Sequence, residues 1–249
     1  MTVKLPITSR TKALRINPRY NLIYSAPKVG KTTIVGELEN NLVIDIEDGS
    51  DFAEKGMYIK VKSLKELYKI GEEIKEQGKP YKYITIDTIT QLEVWAEEHA
   101  TETFKSKTIG RSFTGTSVLE LDHGGGYFWW RQSYGLWFNY LCELAEHVIF
   151  LAHVKDKMLV NKVGQELRQH GIASQDLDLT GKLKAITCSK ADAMGYLYRK
   201  VVGADKGSQI EELWISYHGS EVMAGSRAKH LAGKEFEFDW NLIYLPETK

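Results

Sequence analysis

Short apolar runs alternate along the chain with stretches in which apolar residues recur at helical spacing. The runs predict buried strands over 21–24, 42–46, 83–87 and 148–152. The helical spacing predicts helices over 31–39, 63–77, 88–104, 129–147 and 177–193. Polar and apolar residues alternate over 196–202 and 212–217, which predicts antiparallel strands on the flank of the sheet. The order indicates an α/β fold with a mostly parallel central sheet, flanking helices and antiparallel strands at the C-terminal edge.

Two segments lack this periodicity, 105–128 and 154–176. The first contains a run of three glycines, Gly124 to Gly126, and the second is polar. Loops of this length inside a compact domain are usually functional or mobile. Neither segment looks like a linker, so we predict one domain over 1–249.

Composition narrows the functional classes. The 249 residues carry 33 basic and 33 acidic side chains, and this zero net charge argues against coating nucleic acid by bulk charge alone. The two cysteines, Cys142 and Cys188, have no metal-ligand spacing and are expected to be reduced thiols. The absence of a long apolar run or signal core predicts a cytoplasmic protein without a membrane partner.

A phosphate-binding motif lies between the first predicted strand and the first predicted helix. The phosphate loop comprises Ser25, Ala26, Pro27, Lys28, Val29, Gly30, Lys31 and Thr32, and Thr33 follows it. Backbone N–H groups of such a loop cradle the phosphates of ATP, Lys31 reaches the β- and γ-phosphates, and the Thr32 hydroxyl binds Mg²⁺. Ser25 stands where the usual motif begins with glycine, so we expect altered loop geometry without loss of binding.

Two carboxylates follow neighbouring predicted strands. Asp87 ends the strand 83–87 and is expected to hold Mg²⁺ and its water shell. Glu47 follows the strand 42–46 and is the candidate base that orients the attacking water. An exposed acidic turn is the alternative interpretation of Glu47. Asp45 could compete for the role, but it lies on the opposite face of its strand from Ile44 and Ile46.

His153 follows the fourth predicted strand. At that position it would lie at the ligand edge of the sheet, within reach of the γ-phosphate. A polar side chain there can report the state of the phosphate to the segment that follows. The alternative is a histidine that merely satisfies its hydrogen bonds at the end of a strand.

These motifs, in this order, resemble the RecA core, and among its members the short phage-encoded RecA-like ATPases that include single-strand annealing proteins. The stretches that carry the resemblance are YSAPKVGKTT, LVIDIEDGSD, YITIDTITQL, VIFLAHVKDK, DLTGKLKAITCSKADAMGYLYRKV and AGSRAKHLAG. The resemblance implies that Glu47 is the catalytic base and His153 a sensor. It also implies that Arg227 and Lys229 reach the ATP of a neighbouring subunit in a ring or filament.

The resemblance further implies single-stranded DNA as a partner, in the host cytoplasm, with a single-strand binding protein as a further candidate partner. Basic and aromatic residues in the two aperiodic segments suit such a strand, because phosphates attract charge and bases need stacking surfaces. The candidates are Lys105, Lys107, Arg111, Tyr127, Phe128, Lys155 and Lys157. The neighbouring Trp130 and Trp137 have helical spacing and are interpreted as packing residues.

Three functions remain open from the sequence. The first is an ATP-dependent protein that pairs or anneals single strands in phage recombination or replication. The second is a nucleotide-switched assembly module, similar to helicase loaders or to KaiC, without direct DNA binding. The third is a small-molecule kinase, which the arrangement of Glu47 and His153 and the lack of an arginine-rich lid disfavour.

Overall fold

The computed structural model describes residues 13–157, 174–203, 209–219 and 222–246. Its strands are β1 (Tyr20–Ser25), β2 (Asn41–Asp45), β3 (Met57–Lys60), β4 (Tyr83–Asp87), β5 (His147–Lys157), β6 (Ser174–Leu177), β7 (Ala193–Val202), β8 (Ile210–Ser216), β9 (Gly225–Ser226) and β10 (Glu235–Glu237). Its α-helices are α1 (Lys31–Gly36), α2 (Leu64–Glu76), α3 (Ile89–Ser106), α4 (Gly125–Leu141), α5 (Gly181–Lys190) and α6 (Trp240–Ile243).

The central sheet has the order β10-β8-β7-β1-β5-β4-β2-β3. The six neighbours from β7 to β3 are parallel, whereas β8 runs antiparallel to β7 and β10 antiparallel to β8. Two short strands lie off this path, because β6 pairs with β5 and β9 with β7, both antiparallel. The predicted fold class is therefore confirmed, including the antiparallel strands at the C-terminal edge.

Helices cover both faces of the sheet, so alternate strand residues enter different cores. On β1, Leu22 and Tyr24 join the core under α2, α3, α4 and α5, whereas Ile23 faces α1 and α6. On β5, Phe150 packs in the same core as Leu22 and Tyr24, and Leu151 packs in the same core as Ile23. Strands buried on both faces require nearly continuous apolar runs, which explains why these strands could be recognised in the sequence.

The segment 105–128, predicted as a loop, is largely ordered into turns. Helix α3 extends to Ser106, three single-turn 3₁₀ helices follow, and α4 already begins at Gly125. Ser117 and Glu120 cap one of these turns reciprocally, and Val118 inside it is fully buried. A Cβ on Gly126 would lie 1.9 Å from the carbonyl oxygen of Val118, so this glycine permits close packing. Gly126 therefore serves packing at the start of α4.

Other boundaries differ from the prediction as well. The first helix ends at Gly36, α4 ends at Leu141, and α5 covers only the middle of the predicted helix 177–193. In the segment 154–176, residues at both ends pair as β5 and β6, and residues 158–173 lie outside the described part of the chain. Among the helices of the described residues, none is both long and apolar enough to cross a membrane.

Candidate active site

Strand register brings the predicted site residues to one edge of the sheet. Ser25, the last residue of β1, pairs with His153 of β5, and Asp45 of β2 pairs with Asp87, the last residue of β4. Because these strands are parallel, their carboxyl ends share an edge, where ligands of open α/β sheets bind. The phosphate loop, Glu47, Asp87 and His153 therefore converge there as predicted.

The phosphate loop turns sharply between β1 and α1. Lys28 and Gly30 both have positive φ angles, 64° and 119°. The second value is costly for any residue with a Cβ atom, so it explains the glycine before Lys31. Pro27 and Lys28 are exposed at the tip, and the loop returns to the sheet at the buried Lys31.

Lys31 is 6% exposed, and its ammonium group has protein partners. Nζ donates to the carbonyl oxygens of Ser25 and Ala26, both at 3.3 Å, and to the Ser25 hydroxyl at 3.0 Å. Burial lowers the pKa of Lys31, while the nearby Asp87 and Glu47 oppose that change. The lysine is therefore held at the base of the loop, where a phosphate group can exchange for these neutral acceptors.

Ser25 thus has a use that the sequence did not reveal. Its hydroxyl accepts the hydrogen bond from Lys31 and donates to the carbonyl oxygen of Ala26 at 2.8 Å. The glycine of the usual motif would offer no such acceptor. Ser25 is fully buried, so its side chain anchors Lys31 from inside the loop.

Thr32 and Asp87 form a pair of oxygen donors beside Lys31. The Thr32 hydroxyl donates to Asp87 Oδ2 at 2.7 Å, and Asp87 is 4% exposed. Burial raises the pKa of Asp87 to about 6, and the negative charges of Glu47 and Asp45 act in the same direction. A hydroxyl beside a buried carboxylate fits a hard divalent cation such as Mg²⁺. The peptide bond that follows, Asp87–Thr88, is cis.

Glu47 and His153 contact each other by hydrogen bonds across the site. His153 Nε2 lies 2.9 and 3.1 Å from the two carboxylate oxygens of Glu47, and Nδ1 lies 3.5 Å from Lys31 Nζ. The imidazole tautomer with its proton on Nε2 satisfies both contacts, because it donates to Glu47 and accepts from Lys31. The hydrogen bond from His153 holds the pKa of Glu47 below its ordinary value. Glu47 is therefore ionised and oriented toward the phosphate loop.

The two neighbouring aspartates have other roles. Asp45 is buried, and its carboxylate accepts backbone hydrogen bonds from Glu47, Gly49 and Ser50, which shapes the turn after β2. Asp48 lies 2.6 Å from Lys60 Nζ on the exposed side of that turn. Asp45 therefore positions the backbone of Glu47, and neither aspartate competes with it for the edge of the phosphate loop.

A tyrosine on a strand missed in the sequence also supports the site. Tyr58 lies on β3, and its hydroxyl donates to the carbonyl oxygen of Thr32 at 2.9 Å. This contact joins the first turn of α1 to the edge of the sheet. The alternation of β3 is too short and too exposed to be recognised as a strand by pattern.

Arg227 lies at the opposite edge of the sheet from the phosphate loop. Its guanidinium contacts Asp192 Oδ1 at 3.4 Å and donates to the carbonyl oxygen of Ser189 at 2.8 Å. Asp192 also accepts from the backbone N–H of Tyr20, at the start of β1. The length of β1, about 16 Å, therefore separates Arg227 from the loop of its own chain. Lys229 follows in an exposed turn.

The candidate DNA residues do not form one group. The exposed residues Lys105, Lys107 and Arg111 lie around the end of α3. That helix begins at Ile89, near the active-site edge of the sheet, and Lys105 lies about 24 Å further along it. Lys155, by contrast, lies two residues after His153 on β5, and its ammonium is 3.9 Å from Asp178 Oδ1. The side chain of Lys157 lies outside the described part.

Aromatic side chains connect part of this set. The ammonium of Lys105 lies 5.8 Å from the ring centroid of Phe113, which contacts Phe104, which in turn contacts Trp129 and then Phe128. Phe128 and its neighbour Tyr127 are about half exposed. Trp130 and Trp137 are buried, as their interpretation as packing residues requires.

Comparisons with known proteins agree with this geometry. The sequence profile of a family described as "AAA domain" matches residues 17–228. That range includes the phosphate loop, Glu47, Asp87, His153 and Arg227. A comparison with curated proteins finds no match for the chain.

Proposed function

The chain belongs to the AAA domain family, and from that premise we propose that it binds ATP with Mg²⁺ and hydrolyses it at the carboxyl edge of its sheet. The observation that carries the proposal is the joint position of three groups. Lys31 lies at the base of the phosphate loop, Thr32 pairs with Asp87, and Glu47 pairs with His153. The sequence offers no arginine-rich lid of the kind that small-molecule kinases close over their substrates, so hydrolysis is favoured over phosphate transfer.

Each residue has a distinct task in this proposal. The backbone of residues 26–31 and the Lys31 ammonium bind the phosphates, and Lys31 exchanges the neutral oxygens of Ser25 and Ala26 for them. Thr32 and Asp87 would hold Mg²⁺, which would supply positive charge beside the phosphates. Glu47 orients a water and accepts its proton, and His153 holds the Glu47 carboxylate in place.

The position of Arg227 supports the proposal of self-association into a ring or filament. Because it lies at the far edge of the sheet, this arginine cannot reach the nucleotide of its own chain. Its side chain is 65% exposed, so a neighbouring subunit could approach it. Arginines supplied between subunits stabilise the charge that develops on a transferring phosphoryl group.

Single-stranded DNA is the second partner we propose. The exposed side chain of Lys105 and the half-exposed ring of Phe128 support it, since they offer a charge and a stacking surface. Such surfaces bind phosphates and stack bases without sequence preference. The proposed activity is pairing or annealing of single strands in recombination or replication.

The test is the ATP turnover of the purified protein, with and without single-stranded DNA, in the presence of Mg²⁺. Lys31→Ala serves as the control for contaminating ATPases, because it removes the positive charge that contacts the phosphates. Turnover that requires Lys31 and rises with DNA supports both parts of the proposal. Turnover that requires Lys31 but does not change with DNA would favour the nucleotide-switched assembly module, if the protein also binds no single-stranded DNA at low salt. Turnover equal in Lys31→Ala contradicts the assignment of the site.

A further inference from the structure

The arm formed by β7 and β8 extends beyond the phosphate-loop edge of the sheet. Strand β7 pairs with β1 only as far as Tyr196, opposite Tyr24. Its remaining residues, 197–202, continue past the end of β1 and pair with β8 alone. The arm therefore stands beside the phosphate loop, on the side away from Glu47 and His153.

Side-chain alternation directs one arginine of this arm toward the loop. Leu197 is fully buried in the core that also contains Ile34 and Val35 of α1. Arg199, two residues further along β7, lies on the same face of the strand. Its Nη2 lies 3.8 Å from the position that a Cβ on Gly30 would occupy. The guanidinium of Arg199 therefore reaches the residue that precedes Lys31.

Within the described part of the chain, only a weak ion pair engages this guanidinium. Arg199 Nη1 lies 3.9 Å from Glu211 Oε2, and the two side chains are 47% and 62% exposed. Exposed pairs at this distance contribute little stability. The adjacent Lys200 instead lies on the opposite face, 3.6 Å from Glu235 Oε1 and 4.0 Å from the ring centroid of Trp214. Arg199 is thus available for another anion, whereas Lys200 is not.

We propose that Arg199 is a nucleotide-binding residue that contacts the phosphates of ATP bound in the phosphate loop of the same chain. The inference rests on the proposed function, since it assumes that the loop binds ATP, and it adds a cation that acts within the chain. A planar guanidinium offers paired N–H donors that match phosphate oxygens. Arg199 and Lys31 approach the loop from different sides, so together they flank the bound phosphates.

The test compares three variants of the full-length protein by titration with a fluorescent ATP analogue in Mg²⁺. Arg199→Gln should weaken binding roughly 10- to 100-fold, the usual effect of losing a charged hydrogen bond. Arg199→Lys should recover part of this loss, because it keeps the charge without the paired donors. Lys200→Gln is the matched control on the opposite face of the strand and should bind within about twofold of the parent.

Glu211→Gln separates phosphate binding from a structural role of the ion pair. If Arg199 contacts phosphate, removing its competitor Glu211 should leave affinity unchanged or improve it. Loss of affinity in Glu211→Gln equal to that in Arg199→Gln would contradict the proposal. So would an Arg199→Gln variant that binds the analogue like the parent, or one that loses only affinity for single-stranded DNA. In each of these cases the parent still binds ATP, so the proposed function survives the failure of this inference.

Discussion

Replacing Asp87 with asparagine should stabilise the protein when nucleotide and Mg²⁺ are absent. Burial raises the pKa of this carboxyl from 3.8 to about 6, so keeping it ionised in the folded protein at neutral pH costs about 3 kcal/mol. Asparagine carries no charge and can still accept the hydrogen bond from Thr32. Burying its NH₂ group costs about 1 kcal/mol, which offsets part of the gain from removing the charge. We therefore expect a net gain of about 2 kcal/mol, which corresponds to about 5 °C in melting temperature.

The gain should depend on pH with a defined sign. A carboxyl with a raised pKa binds its proton more tightly in the folded than in the unfolded protein. Its contribution therefore lowers stability as pH rises from about 4 to about 6, and the full cost remains at higher pH. Melting curves of parent and Asp87→Asn in EDTA should differ most at pH 7.5 and converge near pH 4.

Asp45→Asn is the matched control, because Asp45 pairs with Asp87 in register and is equally buried. Although burial opposes it, hydrogen bonds from Ser50, Gly49 and Glu47 lower the pKa of Asp45. The same substitution there should destabilise the protein at pH 7.5. Adding Mg²⁺ and ATP should raise the melting temperature of the parent and not that of Asp87→Asn. An Asp87→Asn protein that is folded but melts at or below the parent temperature at pH 7.5 in EDTA would refute the reasoning.

Three further predictions concern other parts of the site and its partners. Ser25→Gly should lower stability without nucleotide by about 1 kcal/mol in thermal melts, because Lys31 loses an acceptor. Arg227→Ala and Glu47→Gln should each lose most ATP turnover, by roughly 10²-fold or more, and recover part of it when mixed. Absence of recovery in mixtures shown to co-assemble would count against the role between subunits. In fluorescence anisotropy, Phe128→Ala should weaken single-strand binding by about 1–3 kcal/mol with an unchanged salt slope. Lys105→Ala should flatten that slope by roughly 0.7, and the reverse pattern would contradict the assigned contacts.

The parts of the site that could be predicted from the sequence are those that local sequence patterns indicate. The phosphate loop has a fixed spacing, and the strands before Glu47, Asp87 and His153 are apolar because both of their faces are buried. Parallel pairing then brings their ends together without further information.

Other features depend on contacts between distant segments, which no local pattern records. The glycine run at the start of α4 resembles a flexible loop until the close approach of Gly126 to Val118 is known. Arg199 lies beside the phosphate loop only because β7 lies next to β1. Arg227 follows a recognisable motif, yet only the sheet order reveals that it lies at the far edge. The role of Ser25 could not be predicted either, since its hydroxyl accepts a hydrogen bond from Lys31 only in the folded loop.

The measurement that tests the central claim most directly is ATP turnover and ATP binding by Glu47→Gln beside the parent protein, with Mg²⁺ at neutral pH. Glutamine keeps the size of the side chain but is a much poorer base. We predict that the variant binds ATP like the parent, and that its turnover is slower by roughly 10²-fold or more. Parent-like turnover in the Glu47→Gln protein would contradict the assignment of Glu47 as the hydrolytic base, and with it the account of this edge of the sheet as an ATPase site.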